Sequence, residues 1–259
     1  MRMLLPVPAD DLSDADLDAA YAWPGGPERA PWLRANMVAT ADGAARSPDG
    51  RSATISSDAD RRVFGRLRGL ADVVLVGAGT ARAEGYRPAR VRPELAERRR
   101  TAGQTDVPAI ALVSRSLDLD LGSDLLARAA VRTIVVTCAS SDPELRGRLA
   151  ETSDVIVAGE ADVDLRAAVR ALHERGLRRI HAEGGPHLLG DLASADLLDE
   201  LLLTVSPLLA GGSYDAGAPL SRILAGAPLP SAPRPLRLHH VLEEDGSLFL
   251  SYRSDRSGA

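Results

Sequence analysis

Aromatic residues make up only 3% of this 259-residue chain, against 45% hydrophobic in all, so its core must be built from aliphatic side chains. Cysteine is nearly absent. The single Cys138 excludes an internal disulfide and fits a reducing compartment; one thiol with no histidine base beside it reads as packing. No run of about 18 apolar residues occurs, so no membrane-crossing helix is expected. The apolar part of Met1-Arg2-Met3-Leu4-Leu5-Pro6 is too short for a signal peptide, and a cytoplasmic location is expected. A net charge of −5 gives no reason to expect nucleic acid or an anionic membrane as partner. Several chemistries are also missing. There is no Gly-x-Ser-x-Gly elbow, and no lysine follows a suitable glycine loop. One cysteine cannot supply a zinc deaminase, and the five histidines have no metal-ligand spacing, so no metal is expected.

What is present is an alternation of short apolar runs and helical patterns. Val73-Val-Leu-Val-Gly-Ala-Gly-Thr80 is the sharpest stretch: a β-branched run that stops at two glycines and a threonine, before Ala81-Arg-Ala-Glu84 reads as helical. Thr80 is placed to cap that helix, with Glu84 the acidic member of a capping box. Free N–H groups there favour an anion, but the stretch alone is equally an ordinary strand-to-helix turn. Before it, Trp32–Thr40 reads as a strand ending in the turn Ala41-Asp42-Gly43, and Ser47–Gly50 as a tight turn. A helix is expected from Ser56-Ser57-Asp58 to Leu70. After it, Ala109–Val113, Thr133–Thr137, Val155–Ala158 and Arg179–Glu183 read as strands. Helices are expected over 143–150, 165–174 and 186–193. Residues 85 to 106 read as a mobile surface segment, with Arg98-Arg99-Arg100 a solvated face. Glu200–Val205 is a strand, and 236–242 with 248–252 a hairpin, on which His239 and His240 point opposite ways. The expectation is an α/β fold: a mixed, mostly parallel sheet with helices on both faces and a C-terminal antiparallel hairpin. Residues 1–31, rich in proline and aspartate, read as an N-terminal arm on a domain spanning 32–259.

Two glycine turns, Gly77-Ala-Gly-Thr80 and Glu183-Gly-Gly-Pro186, fall at the carboxyl ends of expected parallel strands, where open α/β sheets bind ligands. Ser114-Arg115 follows a third strand, and an arginine fork there suits the 2′-phosphate of NADPH. The spacing is not Gly-x-Gly-x-x-Gly, which would need glycine at Ala81 or Arg82. Asn36, Asp42, Ser52, Ser56 and Arg68 form a polar group whose bland reading is turn and capping chemistry.

Taken in order, Asn36-Met-Val-Ala-Thr-Ala-Asp-Gly43, Thr54-Ile-Ser-Ser57, Leu67-Arg68, Val76–Thr80, Glu183–Pro186, and Asp199-Glu200 through Pro207–Gly211 resemble the pyrimidine reductases of riboflavin biosynthesis. Gly79–Tyr86 looks most like a stand-alone, actinobacterial-type branch. The resemblance covers about residues 32 to 253. It implies a dihydrofolate-reductase-like fold, a homodimer, and NADPH-dependent reduction of 5-amino-6-(5-phosphoribosylamino)uracil at ribose C1′. It implies NADPH across Gly77, Gly79, Thr80, Glu183, Gly184 and Gly185, with Ser114 and Arg115 at its 2′-phosphate and Ala39 and Thr40 beside the nicotinamide. It assigns Ser52, Ser56, Arg68 and Arg90 to the substrate, and Asn36 and Glu84 to catalytic positions. Asn36 stands where many members carry lysine, and Glu84 where aspartate is usual. The proton donor is left between bound water and Glu84. Alternative readings are a reductase of another pteridine or pyrimidine, such as a dihydrofolate reductase analogue, and an NADPH-binding protein without turnover.

Overall fold

The computed structural model describes residues 1–25, 30–47, 50–211, 221–226 and 228–255, so the turn expected at Ser47–Gly50 lies partly outside the described residues. In chain order the elements are β1 (Arg2–Leu5), α1 (Asp14–Ala20), β2 (Trp32–Thr40), α2 (Asp58–Leu70), β3 (Val73–Gly77), α3 (Ala78–Ala83), α4 (Pro93–Thr101), β4 (Ala109–Val113) and α5 (Asp124–Ala127). There follow β5 (Ile134–Thr137), α6 (Pro143–Thr152), β6 (Asp154–Val157), α7 (Leu165–Glu174), β7 (Arg179–Ala182), α8 (Pro186–Ser194), β8 (Glu200–Ser206), β9 (Leu236–Glu244) and β10 (Ser247–Ser254). The chain divides into two compact units. The first comprises Met1–Ala22, Leu33–Leu67 and Gly184–Ala259, the second Trp23–Trp32 and Arg68–Glu183.

The second unit is a parallel sheet in the order β7-β3-β4-β5-β6. Successive strand residues face opposite sides, so the uninterrupted burial of Val73–Val76, Ala109–Leu112 and Ile134–Thr137 means that both faces are covered. The core is aliphatic, as the composition required: Val74, Val76, Ile110, Leu112 and Val135 meet Leu117, Leu125, Leu126 and Leu149. Asp142 and Asp164 cap α6 and α7, and α7 buries Leu165, Ala168, Val169 and Leu172 at helical spacing. Asp72 fixes the strand starts, accepting from the backbone N–H of Arg178 and Arg179 at 3.0 and 2.8 Å and from Gln104 Nε2 at 2.7 Å.

The 85–106 segment departs from expectation. It contains α4, and Arg99, the middle of the three arginines, is fully buried. Its Nη1 donates to the carbonyls of Gly69 and Ala71 and its Nε to that of Thr105. Those carbonyls need a donor, and a guanidinium can bridge several at once. A run of charge therefore hides one structural residue between two solvated ones.

The first unit runs β1-β9-β10-β8-β2. β2 and β8 are parallel, and the remaining neighbours are antiparallel. The hairpin turns at Asp245-Gly246 as expected. Residues 1–31 are more than an arm on a domain: β1 pairs with β9, and α1, held by a Ser13–Asp16 capping box, buries Leu17. Asp18 and Asp14 clasp the buried Arg66 of α2. Deeper in this unit Arg34 donates to the Tyr21 carbonyl at 2.9 Å and lies 3.6 Å from Glu200, whose Oε1 accepts from Ser251 at 2.8 Å. Burial lowers the Arg34 pKa to about 10. His240 is buried edge-on to the Tyr21 ring at 5.0 Å, while His239 is exposed, the alternation expected of a strand. No helix among the described residues is long and apolar enough to cross a membrane.

Burial depresses His240 from 6.5 to about 4. Because the folded pKa is the lower, the unfolded chain takes up the proton first, and stability falls as pH drops from about 6.5 toward 4. Urea unfolding at about pH 7.5 and about pH 5 should show a loss of roughly 2 kcal/mol from this residue. His240→Leu should flatten most of that slope, since Nε2 has no hydrogen-bond partner to lose. An unchanged slope would remove His240 as its source.

Candidate active site

The strand-to-helix turn at Val73–Thr80 forms, but its capping differs from expectation. Gly77 is the N-cap of α3 and provides no side-chain cap, so Thr80 lies inside the first turn, and Glu84 is the C-cap rather than part of a capping box. The helix therefore starts earlier, at Ala78. A Cβ added at Gly79 would meet nothing within 4 Å, so this turn faces open space. The helix closes in a Schellman motif: Tyr86 N–H bonds to the Ala81 carbonyl at 2.8 Å and Gly85 N–H to that of Arg82 at 3.3 Å. Gly85, at φ +65°, supplies the left-handed residue this requires.

The motif delivers Tyr86 to a buried charge cluster. Glu183, next after β7, has a side chain only 1% exposed. Nε and Nη2 of Arg68 donate to its two oxygens, each at 2.6 Å. Tyr86 Oη donates to Oε2 at 2.5 Å, and His181 Nε2 lies 3.6 Å from Oε1. The Arg68 guanidinium carbon sits 5.0 Å from the Tyr86 ring centroid. Burial is the largest single effect and opposes ionisation of Glu183, yet the Arg68 charge, the hydrogen bonds from Arg68 and Tyr86, and His181 together outweigh it and hold the carboxyl below its ordinary value. Burial, then the Glu183 charge, pushes the Tyr86 phenol well above its ordinary value, so it stays protonated. Sequence reasoning placed Arg68 and Glu183 at different ligands; here they bond to one another. It missed Tyr86 and His181, although glycine followed by an aromatic just past a helix end was the available signal for Tyr86.

At the end of β4, the buried Ser114 hydroxyl accepts from Leu117 N–H at 3.0 Å. Arg115 is 68% exposed, and its nearest acid, Asp162, is 3.9 Å away. That guanidinium is accessible to an anion from solvent. Arg90 is exposed and Glu84 half-buried.

In the first unit, Gly184 has φ +76°, which favours glycine, and a Cβ there would lie 2.9 Å from Met37 Sδ, so the methionine side chain would have to shift. Gly185 is the N-cap of α8. Ala39 and Thr40 end β2, both buried. Asn36 Nδ2 reaches the Leu202 carbonyl at 3.4 Å. Ser52 is half-buried and its carbonyl accepts from Ile55 N–H at 3.0 Å. Ser56 Oγ donates to Asp60 Oδ2 at 2.5 Å, and Thr204 Oγ1 to Asp60 Oδ1 at 2.6 Å, so Asp60, another residue not anticipated, links α2 to β8. Ser57 caps α2 through Asp60 N–H. Asp42 is more than a turn residue: it accepts from Thr40 Oγ1 at 2.5 Å, Ala210 N–H at 3.1 Å and Gly211 N–H at 2.8 Å. These bonds, the one from Thr40 first, lower its pKa.

Residues 31–222 match the family model described as the RibD C-terminal domain. A 2,5-diamino-6-ribosylamino-4(3H)-pyrimidinone 5′-phosphate reductase of Archaeoglobus fulgidus is 31% identical over 182 residues, 70% of this chain and 83% of that protein. The crystal structure of a pyrimidine reductase-like protein from Corynebacterium diphtheriae superposes with TM-score 0.80 at 27% identity, over 93% of this chain and 99% of that one. A riboflavin biosynthesis reductase of Saccharomyces cerevisiae shares the fold, with TM-score 0.61 at 18% identity over 91% of this chain and 94% of that one.

Asp42→Ala should free the segment after β8. Amide exchange at Ala210 and Gly211 should accelerate roughly tenfold or more while core amides of β3 and β4 are unchanged. Equal protection in the variant would show that Asp42 does not anchor this segment.

Proposed function

Because the chain belongs to the RibD C-terminal domain family, we propose that it is a reductase converting 5-amino-6-(5-phosphoribosylamino)uracil to 5-amino-6-(5-phosphoribitylamino)uracil, with NADPH as cofactor. The observation that carries the reading is the family match over residues 31–222, which spans both glycine turns, Arg68 and Arg115. When bound, NADPH supplies a hydride to ribose C1′ in the open-chain imine, and one proton completes the reduction to the amine.

The residues divide the remaining work. Arg115, with Ser114, holds the 2′-phosphate. Thr80 and the backbone of Gly77, Gly79, Gly184 and Gly185 take the other phosphates, and Ala39 and Thr40 border the nicotinamide. Glu183 belongs to the same group in the resemblance. Arg68, Ser52, Ser56 and Arg90 hold the substrate, and Asn36 and Glu84 stand beside the ribose, with Glu84 or a water giving the proton. The protein's contribution is placement and exclusion of water rather than covalent chemistry. A homodimer in the cytoplasm goes with this reading. A second reading, favoured by the name of the Archaeoglobus relative, keeps the reaction and changes the base to the 2,5-diaminopyrimidinone.

NADPH consumption with the uracil compound, the diaminopyrimidinone, dihydrofolate and no substrate distinguishes these readings. Turnover of the first or second alone selects between them. Tight NADPH binding with no turnover of any would leave a binding protein and overturn the proposal. Arg115→Ala should cut the preference for NADPH over NADH by about 10- to 100-fold, the worth of a charge-assisted hydrogen bond. An unchanged ratio would take Arg115 away from the 2′-phosphate.

A further inference from the structure

We propose that Tyr86 is a positioning residue for Arg68: with Glu183 it holds the guanidinium in the orientation that meets the substrate's 5′-phosphate. This rests on the reading above, in which Arg68 holds the substrate, and takes the guanidinium to meet the substrate's one anionic group, its 5′-phosphate. The roles follow from exposure. Glu183 has a side chain 1% exposed, so its carboxylate cannot meet a ligand without the cluster opening, whereas Arg68 at 22% is reachable. Arg68 is therefore the contact residue, and Glu183 acts through it. Glu183 holds the edge of the fork that carries Nε and Nη2, which fixes the guanidinium plane.

Two bonds donated to one carboxylate still allow carboxylate and guanidinium to rock together. Tyr86 removes that freedom twice. Its hydroxyl donates to Glu183 Oε2 at 2.5 Å, and its ring lies 5.0 Å from the guanidinium carbon. The ring is itself anchored, packing against the core of Val74, Val76, Ile110 and Leu112. Its backbone is set by the Schellman closure at Gly85. The line of support thus runs from the end of α3 through a phenol to a buried acid, and from it to the arginine. A preorganised arginine loses less freedom on meeting a phosphate, so the gain should lie in binding the phosphorylated substrate rather than in the hydride step.

The test is Tyr86→Phe, which keeps the ring and removes the hydroxyl. KM for the phosphorylated substrate should rise about tenfold, with kcat within roughly threefold of the parent and KM for the dephosphorylated substrate unchanged. Calorimetric titration with ribose 5-phosphate, which requires no turnover, should show a matching loss of affinity. Equal KM increases for both substrates, or a fall in kcat with KM unchanged, would overturn the assignment. Arg68→Ala separates the two levels. If it too fails to distinguish phosphorylated from dephosphorylated substrate, the placement of the phosphate is wrong, and the inference falls with it. If it distinguishes them and Tyr86→Phe does not, the positioning role alone is wrong.

Discussion

An ionised carboxylate almost wholly removed from water is the constraint around which the parallel-sheet unit is arranged. Glu183 follows β7 directly, so its backbone position is set by the sheet: its N–H bonds to the Leu75 carbonyl at 2.9 Å. A charge so buried is costly unless it is paired and its lone pairs are satisfied. Arg68 supplies the countercharge from the end of α2, and Tyr86 a further donor from the end of α3. Three segments far apart in sequence thereby meet at one group. Removing Arg68 would leave the acid uncompensated, and removing the Tyr86 hydroxyl would take away one of its donors, whereas the continuous apolar strands beneath tolerate conservative aliphatic exchange.

The same physical device recurs with neutral acceptors. All 31 basic side chains of the chain are arginine, with no lysine. Arg99 bridges the carbonyls of Gly69, Ala71 and Thr105. Arg132 reaches those of Ala150 and Ser153, and Arg146 those of Ala139 and Ser141. A planar fork can satisfy several loop carbonyls in one direction, where an ammonium presents a compact, more strongly hydrated charge. Among the described residues, Arg34, Arg66 and Arg99 are the largest fully buried side chains. In a chain with so few aromatics, guanidinium planes take over part of the work of large flat side chains in joining elements.

How much of this was legible follows from the type of signal. The strands β2 to β8 and the helices α6 to α8 were readable because burial leaves its mark on each run by itself, as a continuous apolar stretch where both faces of a strand are covered and as helical spacing where one face of a helix is. β1 was not: Arg2, Leu4 and Leu5 are exposed, so no period betrays the pairing with β9. The start of α3 was misplaced by a few residues, because a glycine at position 79 reads as turn although the helix includes it. Arg99 shows the limit of composition: nothing in three consecutive arginines says which one finds carbonyls. The glycine turns marked the correct strand ends, but the bond from Tyr86 to Glu183 spans 97 residues, and no local pattern encodes it.

The arginines also differ sharply in access, and that gradation has a practical meaning. Arg115 is 68% exposed and Arg68 22%, while Arg34, Arg66 and Arg99 are sealed. A guanidinium-selective dicarbonyl reagent would therefore meet them as a sequence of clocks. The first runs in the folded protein and would be slowed by an anion bound at the end of β4. The last starts only when the chain opens. One covalent chemistry, read residue by residue, would time ligand occupancy and global unfolding in the same sample.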